Sequence, residues 1–325
     1  MTSDLCDCDL ANQQWVSRAT GDTFAFGDPP TPPDEPDDPT DWQAAVNSRD
    51  YDTLRSWYDA HTGYEALGYT EGDLVPGAIV SQYDGQVFEG ISASVIRIAH
   101  DNVTVRGCLI QGGGTYGYYN NPSFNSTYAG TVIEYCTLIG GDPAIDKAAV
   151  LCSSDPSAGI AVTFRYCEIT GWSSGFLGNG GCAAEYCWVY DFYPSSTGGA
   201  HVSSAVARGS HVRYYRNYLT EGGSPICSIY FDLHPVDNVT IQENILSGRQ
   251  NLSGNNPSYC LFGKAGDYEA GATNVTVGNN YLGNTVGVDF QFGQVAGFGD
   301  VAWGTGGNSH SDNIDFLTGE TIPWG

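Results

Sequence analysis

Positive charge is scarce in this chain. Twelve Lys and Arg stand against 37 Asp and Glu, for a formal net charge of −25. Such a polyanion is repelled by nucleic acid and by anionic membrane surfaces, and no basic patch offsets it. Nucleic acid is therefore excluded as a partner. There is a single Met but 43 Gly, which argues for many tight turns rather than packed helices. No run of ~18 apolar residues exists, so membrane insertion is not expected. The N-terminus, MTSDLCDCDL, has neither a basic start nor an apolar stretch. Synthesis in the cytoplasm without a secretory signal is expected. The ten Cys contain no CxxC pair and no His/Cys set at zinc spacing, so buried thiols are the expectation. A hydrophobic fraction of 41% excludes global disorder.

The stretch DPPTPPDEPDDPTD, residues 28–41, is built of Pro and acidic residues. It reads as an extended, self-repelling linker behind a docking arm, residues 1–27. Residues 42–65 read as a short helical cap. One amphipathic helix is expected there, with Asp41 or Asp52 as N-cap, Gly63 as stop, and Leu54, Trp57 and Tyr58 on one face. Residues 66–300 form the main body, and 301–325 a C-terminal cap or tail.

The main body repeats. VTVRGCLIQG (103–112), TVIEYCTLIG (131–140), VTFRYCEITG (162–171), CAAEYCWVYD (182–191), VRYYRNYLTE (212–221), VTIQENILSG (239–248) and VTVGNNYLGN (275–284) align without gaps. Columns one, three and eight are largely apolar and point inward by period-two alternation, whereas columns two and four are mostly polar. Column six carries Cys108, Cys136, Cys167, Cys187, Asn217, Asn244 and Asn280. The chain must bend after the fifth position, because column six resumes the inward phase. Strand, tight turn and strand, stacked coil on coil, make an all-β parallel β-helix. Its coils bury their inner faces only by stacking. Column six is then one inward structural ladder, first of Cys and then of Asn. Parallel, in-line Cβ vectors disfavour disulfides within it.

Chemistry on such a scaffold would sit on an outer face. Glycoside hydrolysis needs two carboxylates, ~5–5.5 Å apart for retention or ~6.5–9.5 Å for inversion. In column ten only Asp191 and Glu221 are acids on neighbouring coils. They are the candidate catalytic pair, with His201 as accessory, and otherwise they are solvated turn residues. Asp232 and Asp237 in FDLHPVD are candidate ligands for Ca²⁺. Asp142, Asp146 and Lys147 form a second such loop. Both loops also suit ordinary turns, and no motif requires a cofactor. The loop GGGTYGYYNNPSFNSTY, 112–128, has the Tyr/Asn/Gly composition of adaptable recognition surfaces. Tyr116, Tyr118, Tyr119 and Asn120 are its candidate ligand-binding residues. Arg106, Glu134, Arg165 and Glu185 alternate in sign down column four and read as a surface ion ladder. Tyr135, Tyr166 and Tyr186 in column five read as an aromatic stack, by turn packing or as a sugar platform. Three of five Asn-x-Ser/Thr sites, Asn102, Asn238 and Asn274, begin strands of the repeat, so the repeat itself accounts for them.

The pattern resembles the right-handed parallel β-helix, or pectate-lyase-like, superfamily. More closely, residues 66–325 resemble β-helix proteins of actinobacteria and minor tail proteins of their phages. GYTEGDLVPGAIVSQYDGQVFEGISASVIRIAHDNVTVRGCLI, GGAHVSSAVARGSHVRYYRNYL, FDLHPVDNVTIQENIL, TNVTVGNNYLGN and VAWGTGGNSHSDN carry the resemblance. It implies a virion structural protein of an actinobacteriophage tail, located in the virion. Residues 1–41 would join other tail proteins, the β-helix would meet host cell-surface polysaccharide, and a homotrimer is one assembly to test. The same scaffold also hosts polysaccharide lyases and glycoside hydrolases, and a non-binding decoration protein is a third reading. Relatives with an HxDxxQ pattern keep an Asp where this chain has Ser203 after His201, which counts against catalysis here.

Overall fold

The computed structural model describes residues 6–9, 14–17, 23–25, 39–112, 115–120, 128–141, 148–152, 159–191, 203–220, 227–232, 236–248, 259–264, 272–284, 295–296 and 305–322. Two compact units divide the chain, Met1–Asp37 and Asp38–Gly325. In the first, Cys6–Asp9, Gln14–Ser17 and Thr23–Ala25 form a three-stranded antiparallel sheet. The arm thus has its own strand pairing, consistent with the β-prone Trp15, Val16 and Phe24. Residues 28–38 of the expected linker lie outside the described residues.

In the second unit each coil contributes one strand to each of three parallel sheets. Thr131–Glu134 belongs to the first sheet, Thr137–Ile139 to the second and Ala148–Cys152 to the third. Among the described residues the sheets contain nine, eleven and nine strands, stacked in chain order. This is a parallel β-helix. Register matches the repeat column by column: Thr131, Ile133 and Glu134 pair with Val162, Phe164 and Arg165. Columns three and eight are fully buried in one continuous core. Coils extend past residue 300, because Ser309–His310 and Asn313–Asp315 still pair in parallel with the preceding coil. The hairpin strand Thr321–Ile322 then closes the second sheet.

The bend falls on column five itself. Tyr135, Tyr166, Tyr186, Arg216, Glu243 and Asn279 have φ of 51°, 53°, 54°, 53°, 56° and 54°. A left-handed conformation costs ~1–2 kcal/mol for a residue with a Cβ. Side-chain stacking between coils offsets it: Tyr135, Tyr166 and Tyr186 stack at 5.0 and 5.1 Å. A second left-handed column precedes column one, and there Asn102, Asn238 and Asn274 have φ of 56°, 58° and 54°. Asn tolerates this geometry because its short amide bonds locally. The recurrent Asn-Val-Thr is therefore corner, inward and outward residue in turn.

The expected single helix is two, α1 (Pro39–Asn47) and α2 (Tyr51–His61). Pro39 opens α1, where its missing N–H costs nothing. Arg49 turns left-handed at φ 57°, and Asp50, not Asp41 or Asp52, caps α2 by accepting from the Thr53 amide at 2.9 Å. Asp41 and Asp52 lie in first turns, where they complement the helix dipole. Leu54, Trp57 and Tyr58 are buried on one face of α2 as expected.

The helices lie along a flank of the solenoid rather than capping an end. Arg49 donates to the Phe316 carbonyl at 3.3 Å, Tyr58 to that of Arg216 at 2.7 Å, and the Gly63 amide to that of Tyr166 at 3.0 Å. Farther on, Glu71 accepts from Gln111 at 3.4 Å, and Val75 joins the first coil through Gly90. Residues 39–74 are thus a strap that descends the whole stack from its last coil to its first. Trp42, Val46, Leu54 and Tyr58 bury the outward second-sheet residues Trp188, Tyr218, Ile245 and Tyr281.

Candidate functional site

Column six forms a continuous buried ladder through successive coils. All seven expected ladder residues are fully buried, and Asn313 adds an eighth coil in register with Asn280. Asn217, Asn244 and Asn280 each make the same two kinds of bond, whereas Asn313 accepts through Oδ1 and its Nδ2 has no partner among the described residues. Asn217 Oδ1 accepts from the Cys187 amide at 2.9 Å, and its Nδ2 donates to the Ala184 carbonyl at 2.8 Å and to Asn244 Oδ1 at 2.9 Å. Asn244 and Asn280 repeat this one coil on. Cys can replace Asn because a thiol offers a weak version of both roles. Cys136 and Cys167 direct their Sγ at the Val105 and Ile133 carbonyls, 3.7 and 3.4 Å away. The Cys136 and Cys167 amides in turn point at the next sulfurs, Cys167 and Cys187. All four thiols are free, and burial pushes those of Cys136 and Cys187 well above the ordinary range.

The outer walls differ from one another. On the first sheet the alternating charges pair across coils. Glu134, 4% exposed, accepts from Arg106 at 3.0 Å and from Arg165 at 2.6 Å, while Glu89 meets Arg106 at 3.7 Å and Glu185 meets Arg213. The second sheet is covered by the strap. Tyr186 packs against Trp42 and Trp57, so this end of the tyrosine stack serves turn packing, not an open sugar platform. Between them, Glu168 accepts from Tyr190 at 2.5 Å and from Thr137 at 3.1 Å. Burial under the strap raises its pKa.

The third sheet is where the chain varies. The corner between first and second sheets is a residue pair in coil after coil, such as Tyr135–Cys136 or Glu243–Asn244. The connections into and out of the third sheet range from two residues, at 77–78 and 94–95, to twelve, as at 191–202. Register places Arg97, Tyr119, Leu151, Leu177 and Val206 in one column of this sheet. Leu151 and Leu177 in it are half-buried.

The candidate residues distribute as follows. Tyr118 is a correction: it is 1% exposed and packs edge-on against Phe164 at 5.1 Å. Its strand, Tyr116–Asn120, runs in register with Ala148–Cys152 and puts Tyr118 in the inward phase beside Val150. Tyr116 shares that phase and is half-buried. Tyr119 and Asn120 are placed in the strand by their backbone, with side chains outside the described residues. Asp191 is exposed at the end of the second-sheet strand, left-handed at φ 49°, and its carbonyl accepts from Gly171. Glu221 and His201 lie outside the described residues, as do Asp142, Asp146 and Lys147. Asp237 Oδ1 accepts from Thr273 at 2.6 Å and from Asn274 at 2.7 Å, bonds that lower its pKa and tie two coils together. Asp232 pairs with Lys264 in register, and its side chain is outside the described residues. Among the described residues no group of three or more His, Cys, Asp and Glu converges on a metal position, and no helix is long and apolar enough to cross a membrane.

No family model, curated protein or solved structure matches this chain.

Proposed function

We propose that this chain is a virion structural protein, a minor tail protein of an actinobacteriophage, which adheres to host-envelope polysaccharide. The observation that carries this reading is the concentration of all variable connections on the third sheet of an otherwise repetitive rod. A rigid scaffold that confines its variation to one wall presents that wall for recognition. Leu151 and Leu177, half-buried neighbours in register on this sheet, supply apolar surface of the kind that packs against sugar-ring faces. The net charge of −25 favours a neutral glycan over an anionic one.

Several carboxylates support adhesion over cleavage, because their bonds are structural. Glu134 and Glu185 pair with Arg, Glu168 lies under the strap, and Asp237 ties coils. A polysaccharide lyase or hydrolase working through Asp191 and Glu221 is the rival reading. Other tail proteins are the proposed partners of residues 1–41. Gold-labelled antibody against the purified chain tests the placement by electron microscopy of intact particles. Label confined to the tail is expected. Particles that carry none, or label on the capsid, would overturn it.

A further inference from the structure

Four thiols in single file invite a metal chemistry that the hydrogen-bonded ladder does not require. Cys108, Cys136, Cys167 and Cys187 are each fully buried on successive coils. Their sulfurs share one orientation, with Cys136 Sγ 3.3 Å from the Glu134 carbonyl and Cys167 Sγ 3.5 Å from that of Arg165. Side chains repeated in one rotamer are spaced by the coil separation, ~4.8 Å. A disulfide needs ~2.05 Å between sulfurs and a Cβ–S–S–Cβ dihedral near 90°, so this spacing and the parallel Cβ vectors disfavour one. Two metal–thiolate bonds of ~2.3 Å laid end to end span about the same distance as one coil. An ion midway between stacked sulfurs would lie along the solenoid axis, roughly perpendicular to the Cβ–Sγ bonds, as a two-coordinate thiolate prefers.

We propose that this cysteine column is a binding site for soft monovalent d¹⁰ cations, cuprous copper in biology, held linearly between Cys108 and Cys136 and between Cys167 and Cys187. Zinc needs four ligands converging on a point, and no three converge among the described residues. Thiolate softness selects copper(I) over harder ions. Each ion displaces one thiol proton to solvent and leaves the second sulfur of its pair protonated. The unit is neutral, as a dry interior demands, and no electron is transferred. The sulfurs keep accepting the amide bonds they already hold. Because the column is sealed, the ion enters as the chain folds.

The test refolds the full reduced chain with silver(I), then dialyses it against a weak competing thiol and counts ions by native mass spectrometry. Wild type is expected to retain two more ions than a variant carrying Cys108→Asn, Cys136→Asn, Cys167→Asn and Cys187→Asn. Asn already fills this column in later coils, so the variant keeps a ladder, which far-ultraviolet circular dichroism checks. A second measurement needs no variant: alkylation of the loaded wild type in urea, mapped by peptide, should spare these four thiols. No difference in ions retained, or protection of other cysteines instead, would overturn the proposal.

Discussion

The hydroxyl of Tyr58 donates to the carbonyl of Arg216 at 2.7 Å while accepting from the Trp42 indole at 2.9 Å. One phenol therefore joins α1, α2 and a left-handed corner of a coil 158 residues away. The Arg216 guanidinium lies over the Trp42 ring at 4.7 Å and bonds Glu243 at 2.8 Å. Tyr58→Phe keeps the ring and orphans both partners in a buried place. A loss of about 1–3 kcal/mol is expected in urea unfolding, with the solenoid's parallel-sheet circular dichroism retained in the native state.

Gly63 is the point where the strap leaves α2. Its φ is 78°, and a Cβ there would stand 2.5 Å from Thr137 Oγ1 and 3.0 Å from Glu168 Oε2. Gly63→Ala adds both backbone strain and overlap. We expect a loss of about 1–3 kcal/mol in the same assay, and a wild-type stability would show that the strap does not seat here.

The two ladder residue types should respond differently to substitution. Asn244→Ala strands the Asn217 amide and the Tyr214 carbonyl and should cost at least about 2 kcal/mol. Cys187→Asn extends a pattern already present on the next coil and should cost less. Thermal unfolding of both variants checks the order, and equal losses would contradict the shared role of column six.

Glu168 predicts a pH dependence. Burial raises its folded-state pKa, so the folded protein holds this proton at a pH where the unfolded chain has lost it. Its ionisation opposes folding, and stability falls as pH rises from the unfolded value through the raised one. Glu168→Gln removes the charge and leaves an acceptor for Tyr190. Unfolding of wild type and variant across pH 4–8 should show the variant flatter over this window and more stable at its upper end.

Much of this fold can be read from the repeat, because period-two alternation and column identity are local properties of the chain. Asn313 escapes such a reading: its coil keeps the column-six Asn but places His310 and Asp315 where Val277 and Leu282 stand one coil earlier. The strap's path escapes it too, since Arg49–Phe316 and Tyr58–Arg216 join residues with no local pattern in common. Tyr118 was legible in principle. Loop-like composition suggests recognition, but the alternation of Tyr116, Tyr118 and Ile96, Ile98 is that of paired strands. Asp237 illustrates the limit of motif reading, for its carboxylate is occupied by Thr273 and Asn274 from the next coil, which spacing alone does not reveal.

Adhesion without cleavage is tested most directly by incubating the purified full chain with arabinan, galactan and mannan fractions of an actinobacterial envelope. Bound glycan and new chain ends are read from the same sample. The account predicts retention of at least one fraction, no new reducing ends or unsaturated products, and about tenfold weaker retention by Tyr119→Ala. Retention of none, or turnover abolished by Asp191→Asn or Glu221→Gln, would contradict it.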